Sequence, residues 1–252
     1  MEEEIEQDMA QEAQETGEIK QLEGNHEEKK REKVVPGEIV ATGTNYLPGE
    51  NTQREGKDII STRYGLLEKE GRLVKVIPLS GVYIPRKGNI VIGKVEDITF
   101  NGWLINIDSP YRAFLPIMEC NGFISKKDDL STIFNFGELL IAKVIAVKSK
   151  GIDLTTRDRG LHKLESGMTM EINSSKVPRV IGKQGSMVGL IKQETGCDIV
   201  VGQNGIVWIR GENIESELLA KEAIKFITEK SFITGLTELV KEFLETKKKK
   251  EK

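Results

Sequence analysis

The chain has 252 residues, of which 38% are hydrophobic and 31% charged, and its formal net charge is −3. This composition is typical of globular proteins, and the length accommodates two or three small domains, so disorder throughout the chain is excluded. The strongest apolar run, LLIAKVIAV at 139–147, is too short for a membrane helix and contains Lys143, so no membrane span is expected.

The first 33 residues form an acidic leader with twelve acidic and five basic residues, a net charge of −7. The other 219 residues therefore carry +4, a mildly basic balance that the whole-chain value conceals. The start, MEEEIEQDMA, has neither the basic residues nor the apolar core of a secretory signal, so we expect a cytoplasmic protein. The leader lacks aromatic residues and has few β-branched ones, so we expect residues 1–33 to be disordered as a solvated tail, with a partly helical arm as the alternative.

Two cysteines and two histidines leave little material for a metal site or for nucleophilic catalysis. Cys120 and Cys197 are 77 residues apart and neither belongs to a C-x-x-C pair, so we expect small buried side chains. His26 lies in the leader and His162 in a connecting segment. The sequence also has no Walker loop and no obvious carboxylate cluster for two magnesium ions. We therefore predict no catalytic residue, no metal and no cofactor.

Residues 34–86 predict a small N-terminal β domain. Turn signals such as VPGE, YLPGEN and KEGR separate short β-rich runs, including EIVAT and RLVKVIPL. Residues 87–160 then contain longer apolar runs with glycines between them: NIVIGKV, WLINI, AFLPI, ELLIAKVIAV and IDLTTR. Five such strands in about 70 residues favour a small Greek-key barrel.

The barrel segment resembles the S1 domain, an RNA-binding OB fold. The resemblance rests on GNIVIGKVEDITFNGWLINID and GIDLTTR, in which glycines and core apolar residues stand where the family has them: Gly88, Gly93, Val95, Ile98, Gly102 and Ile107. Many S1 domains contact bases with two aromatics and a histidine, but the matching positions here are Asn101, Leu104 and Pro116. Base stacking at the usual place is therefore not expected.

Charged loops are the remaining RNA-binding feature of the predicted barrel. If these loops gather at one end of the barrel, their side chains could contact phosphates. The candidates are Arg112, Lys126, Lys127, Arg157 and Arg159. For Trp103, packing against a neighbouring domain and contact with RNA both remain open.

Residues 161–232 resemble a KH domain. The strand MTMEI, a short helix, VIGKQGS, the helix SMVGLIKQET, the strands CDIVV and IVWIR and a long amphipathic helix follow the order β-α-α-β-β-α. In that family a G-x-x-G loop holds the nucleic-acid backbone at a helix start. The resemblance implies an RNA clamp formed by Gly182, Lys183, Gln184 and Gly185, with Arg179 and Lys192 nearby. Residues 233–252 predict a C-terminal helix and a basic tail.

Two further interpretations concern the glycines of this domain. Gly182 and Gly185 could simply allow two helices to meet, without any contact to RNA. A second glycine loop, Gly202-Gln203-Asn204-Gly205, suggests that part of the KH surface is used for packing.

The predicted fold class is a multidomain protein, mainly β plus α+β: a small N-terminal β domain, an S1-type OB-fold barrel and a KH domain. This order resembles the archaeal exosome RNA-binding cap subunit over about residues 34–232. The resemblance implies a non-catalytic, trimeric component of an exoribonuclease complex. Its partners would be single-stranded RNA and the hexameric ring of RNase PH-like exosome subunits. Three copies of the cap subunit per complex would guide RNA 3′ end first into the pore of the ring for phosphorolysis. The β domain would attach to the ring.

Two alternatives from other classes remain open at this point. One is a hydrolytic ribonuclease with appended S1 and KH domains, although the 53 residues of 34–86 are too few for a catalytic domain of that kind. The other is a free-standing RNA-binding regulator of transcription or translation. Association with ring subunits distinguishes the cap subunit from both.

Overall fold

The structure is a computed structural model that describes residues 32–122, 129–230 and 235–250. The chain divides into two compact units, Met1–Pro78 and Leu79–Lys252. The predicted disorder of the leader falls on residues outside this description, apart from Glu32 and Lys33. The RNA-binding candidates Lys126 and Lys127 also lie outside the described residues.

The described part of the first unit is all β. Its strands are β1 (Lys33–Val34), β2 (Ile39–Thr42), β3 (Leu47–Pro48), β4 (Thr52–Glu55), β5 (Asp58–Ser61), β6 (Gly65–Glu70) and β7 (Leu73–Pro78). They form a sheet in the order β1-β6-β7-β3 and a second sheet in the order β2-β5-β4. Alternate apolar side chains enclose a small core that includes Val34, Val40, Ile59, Val74 and Val76.

A five-stranded barrel begins the second unit. Its strands are β8 (Ile90–Thr99), β9 (Gly102–Asn106), β10 (Ala113–Pro116), β11 (Leu139–Lys148) and β12 (Gly151–Thr155). Each strand pairs with two others in the closed order β8-β9-β10-β12-β11, and only β10 and β12 are parallel. Closure removes the exposed sheet edges and surrounds a core of alternating apolar residues.

The KH domain follows the barrel after a short strand, β13 (Lys163–Leu164), which pairs with β11. Its elements are β14 (Met168–Glu171), α1 (Val177–Ile181), α2 (Ser186–Thr195), β15 (Asp198–Val201), β16 (Ile206–Arg210) and α3 (Ile214–Glu229). The antiparallel sheet has the order β14-β16-β15, and α1, α2 and α3 pack together on its apolar face. Both the β-α-α-β-β-α order and the predicted fold class are confirmed.

A fourth helix, α4 (Leu236–Lys250), packs onto the KH helices. Leu236, Val240 and Leu244 are buried in the same core as the KH sheet. The rings of Phe243 and Phe226 stack with centroids 4.6 Å apart. The hydrophobic core of this domain therefore extends beyond the predicted KH segment of 161–232.

Candidate nucleic-acid interface

The G-x-x-G loop (residues 182–185) is a tight turn between α1 and α2. Gly182, Gln184 and Gly185 have φ angles of 75°, 53° and 80°. Such angles cost a glycine little, whereas a residue with a Cβ loses roughly 1–2 kcal/mol. The turn leaves the side chains of Lys183 and Gln184 exposed at the point where α2 begins.

The two glycines of this loop have different roles. A Cβ on Gly182 would stand 2.7 Å from both the amide nitrogen and the Cβ of Met187, which belongs to the domain core. A Cβ on Gly185 would meet no atom of the described structure within 4 Å. Gly182 therefore allows the two helices to meet, whereas Gly185 leaves open space beside the start of α2. At Gly185 no close contact requires glycine, and only its φ of 80° contributes to the turn between the helices.

The electrostatic character of the loop is positive. Arg179 and Lys183 are exposed on either side of Gly182, and α2 starts after Gly185, which has no side chain to cap the helix. The first amides of a helix carry a partial positive charge and are a ready site for phosphate. Lys192 is half-buried in the last turn of α2, about 9 Å along the axis from Ser186, so the structure does not bring it to the loop.

Strand β15 forms the edge of the sheet beside α1 and α2. It pairs with β16 only, so its other edge presents backbone amides and carbonyls that no neighbouring strand occupies in the described structure. The chain passes from the G-x-x-G loop along α2, turns at Gly196 and returns along β15. The β15–β16 loop (residues 202–205) lies beside the chain that leads into α1, because the Gly205 carbonyl accepts from the Ile172 amide at 2.8 Å.

The β15–β16 loop is held against the barrel. The Asn204 side chain is buried, its Nδ2 donates to the carbonyls of Ile92 (2.8 Å) and Ile107 (2.9 Å), and its Oδ1 accepts from the Ile92 amide (3.2 Å). The Gln203 amide donates to the Ile90 carbonyl (2.8 Å), and the Ile90 amide donates to Gln203 Oε1 (2.9 Å). The second glycine loop therefore packs against the barrel, as its sequence suggested.

An apolar contact extends this junction. Trp208 lies on the face of the KH sheet opposite the helices and packs with Ile92 and Ile141 of the barrel and Leu161 and Leu164 of the connection. Its Nε1 donates to the Glu165 carbonyl at 3.2 Å. Because polar and apolar contacts join the same surfaces, the barrel and the KH domain are held as one body.

Three basic candidates of the barrel lie in the described residues, and they do not gather at one end. Arg112 directly precedes β10, and Arg157 and Arg159 follow β12; all three side chains are exposed. Because β10 and β12 are parallel, with Ala113 opposite Ile152, Arg112 lies at the opposite end of this strand pair from the other two arginines. The three arginines therefore do not meet the condition that the charged loops gather at one end, and the reason is the parallel pairing of β10 with β12.

Trp103 belongs to the barrel core, so both interpretations of this residue were wrong. Its side chain is fully buried, its Nε1 donates to the Phe134 carbonyl at 2.9 Å, and the two rings form an edge contact at 5.3 Å. Trp103 shares its strand parity with the buried Ile105, a signal that could have placed it inside. Phe100, at the β8–β9 turn, is 93% exposed, and sequence reasoning assigned it no role.

The described residues offer little for catalysis. They contain no group of three His, Cys, Asp or Glu side chains placed to hold a metal ion. Cys120 and Cys197 are both buried, and burial raises the pKa of the Cys120 thiol to about 11, which keeps it protonated. Within the same residues, no helix is both long and apolar enough to cross a membrane.

Comparisons with known proteins agree with this architecture. The KH domain family matches residues 167–226. The exosome complex component Rrp4 of Thermococcus kodakarensis is 45% identical over 221 residues, covering 86% of each chain, and that of Methanothermus fervidus is 43% identical over 218 residues, covering 86% of this chain and 96% of the relative. A crystal structure assigned to an exosome complex RNA-binding protein superposes with a TM-score of 0.61 and 32% identity, over 68% of this chain and all of that one.

Proposed function

Because the chain belongs to the family of the exosome complex component Rrp4, we propose that it is the RNA-binding cap subunit of an archaeal exosome. Three copies attach to a hexameric ring of RNase PH-like subunits in the cytoplasm. Each captures single-stranded RNA and directs its 3′ end into the pore, where the ring carries out phosphorolysis. The chain itself binds RNA and does not cleave it.

The observation that carries RNA binding is the geometry of the G-x-x-G loop. Gly185 leaves open space beside the start of α2, and the side chains of Arg179 and Lys183, on either side of Gly182 in the chain, are exposed. A phosphate there would gain from the helix amides and from both cations. A KH domain of this kind clamps about four nucleotides by their backbone.

The clamp is tested by reversing its charge in the full chain. Lys183→Asp together with Gln184→Asp keeps both glycines but places two carboxylates beside the phosphates. We expect at least a tenfold loss of affinity for a short single-stranded RNA, about 1.4 kcal/mol, by fluorescence anisotropy. Lys221→Asp, on the exposed side of α3, is the control for the same lysine-to-aspartate change away from the loop and should bind normally. Unchanged binding by the double variant, with an unchanged melting curve, would overturn the clamp.

The barrel adds phosphate contacts through Arg112, Arg157 and Arg159. These exposed side chains lie at opposite ends of the β10–β12 pair, which has a parallel register. A strand that contacts both ends runs along the barrel rather than across one loop cluster. Lys126 and Lys127 are part of the same proposal.

Attachment to the ring is the role of the N-terminal unit. Leu47 of β3 and Leu73 of β7 are register partners, and both are exposed, by 51% and 38%. Ile39 and Val35 of the same unit are also more than half exposed. Because Leu47 and Leu73 are neighbours in the sheet, this exposed apolar pair is the part of the unit that we propose for contact with the ring.

Leu47→Glu together with Leu73→Glu should abolish co-elution with ring subunits in size-exclusion chromatography, because both carboxylates would be desolvated at the interface. The RNA affinity of the free chain should not change. Lys57→Glu, at the exposed β4–β5 turn, is the control for a charge change on the same unit. If the double leucine variant still co-eluted normally with the ring subunits, the attachment surface would have to lie elsewhere on the chain.

A further inference from the structure

The segment from Leu79 to Ile90 is tied to the KH domain at two places. At one end, the Ser175 hydroxyl, just before α1, donates to the Leu79 carbonyl at 2.8 Å. At the other end, Gln203 of the β15–β16 loop exchanges two hydrogen bonds with the backbone of Ile90. This segment therefore contacts the KH domain at the start of α1 and at the β15–β16 loop.

At its Leu79 end, this segment contacts the residues that lead into α1, and the G-x-x-G loop follows that short helix. Helix α1 has five residues, about 7.5 Å of axial rise, and it alone lies between Lys176 and Gly182. The β15–β16 loop is fixed to the same place, since the Ile172 amide donates to the Gly205 carbonyl at 2.8 Å. A strand that leaves the clamp past the β15–β16 loop meets the segment within a few nucleotides.

The segment contains a rigid basic turn, Arg86–Asn89, which we call the entrance turn. The Asn89 amide donates to the Arg86 carbonyl at 3.0 Å, and Gly88 has a φ of 90°, as the third position of a type II turn requires. Asn89 Oδ1 accepts from the Arg86 amide (3.1 Å) and from the hydroxyl of Tyr83 (2.8 Å).

Two further features make the entrance turn a preformed surface. Burial raises the pKa of Tyr83 to about 12, so its hydroxyl remains a donor to Asn89 at every physiological pH. A Cβ on Gly88 would meet no described atom within 4 Å, and the side chains of Arg86 and Lys87 are exposed. Beside them, Ile90 is 43% exposed and offers an apolar surface for a base.

We propose that the entrance turn, with Arg86, Lys87 and Ile90, is a second contact for the single-stranded RNA held by the KH clamp. This inference rests on the proposed function of the clamp. The two cations contact the phosphates that follow the clamped nucleotides, and Ile90 packs against a base. The bonds of Asn204 and Gln203 fix the spacing of the two contacts. RNA is thus bound across the junction of the two domains as one continuous path.

RNAs of two lengths distinguish binding at the entrance turn from binding at the clamp. The variant Arg86→Glu with Lys87→Glu is measured by anisotropy in the full chain against oligouridylates of 4 and 12 nucleotides. The 4-mer fills only the clamp, so its affinity should change by less than twofold. The 12-mer reaches the turn, and its affinity should fall at least fivefold. The slope of log affinity against log salt should become shallower by about 1.4, since two phosphate contacts on a single strand are lost.

The control is Lys221→Glu with Lys241→Glu, which changes the net charge equally on exposed positions of α3 and α4. It should leave both oligonucleotides unaffected. Equal losses for the 4-mer and the 12-mer, no loss for either, or the same loss in the control would each overturn the proposal. The proposal that the G-x-x-G loop clamps RNA is tested separately. If that proposal is wrong, Lys183→Asp with Gln184→Asp leaves 4-mer binding unchanged.

Discussion

At the scale of single residues, Gly182 and Gly185 have different roles in the G-x-x-G loop. Gly182 has φ 75° and ψ 177°, a region open almost only to glycine, and it also lies against Met187. Gly185 is left-handed but faces open space. The loop thus combines one position that the fold requires with one that keeps a surface clear.

We expect Gly182→Ala to destabilise the KH domain by about 3 kcal/mol or more, because strain and the clash with Met187 add together. Gly185→Ala should cost only about 1 kcal/mol, the penalty of left-handed geometry for a residue with a Cβ. Urea unfolding followed by far-UV circular dichroism measures both. Equal costs for the two variants would contradict the distinction.

Asn204 is the residue on which the junction between the barrel and the KH domain depends most. Asn204→Ala leaves two buried carbonyls and one buried amide without a partner and should cost about 2–4 kcal/mol of unfolding free energy. Gln203→Ala keeps its backbone bond to Ile90 and should cost about 1 kcal/mol or less. Thermal or urea unfolding compares the two. A larger loss for Gln203→Ala than for Asn204→Ala would contradict this account of the junction.

At the scale of elements, helix α4 completes the KH core. Leu236, Val240 and Leu244 are buried, and Lys247 pairs with Glu222 of α3 at 2.7 Å. The apolar contacts carry the stabilisation, because a partly exposed ion pair contributes at most about 1 kcal/mol. A KH fragment that ends at 232 therefore lacks part of its own core.

Truncation after Phe232 should destabilise the KH domain by several kcal/mol, since three buried aliphatic side chains contribute roughly 1.5–3 kcal/mol each. Phe243→Ala is the milder variant, which removes the stack with Phe226 and should cost about 3 kcal/mol. Hydrogen exchange of the α2 and α3 amides reports both effects. Unchanged protection in the truncated chain would show that α4 is only an appendage.

Features that depend on neighbouring residues in the chain could be predicted from the sequence. Glycine spacing located the G-x-x-G loop, and the second glycine loop correctly indicated a packing surface at Asn204. The sequence alone was insufficient for features that depend on strand pairing or contact between distant segments. The parallel pairing of β10 with β12 separates Arg112 from Arg157, and the segment 130–134 closes over Trp103. Neither contact leaves a periodic signal in the chain.

At the scale of the whole molecule, the net charge is only −3, so the proposed RNA binding depends on the local arrangement of charged side chains. The cations of the clamp, the entrance turn and the barrel ends are exposed, while the acidic leader accounts for the overall sign. RNA affinity should therefore fall steeply with salt, by a slope of about −0.7 for each phosphate contacted. Affinity that stays level between 50 and 200 mM salt, roughly the range over which such contacts weaken, would contradict this prediction.

The measurement that tests the central claim most directly is reconstitution of the chain with purified RNase PH-like ring subunits, followed by size-exclusion chromatography with light scattering. We expect a single complex whose mass exceeds that of the ring by three chains of 28.2 kDa each. That complex should bind a single-stranded RNA more tightly than the ring alone. Elution of the chain apart from the ring, with its RNA affinity intact, would contradict the account and leave a free-standing RNA-binding protein.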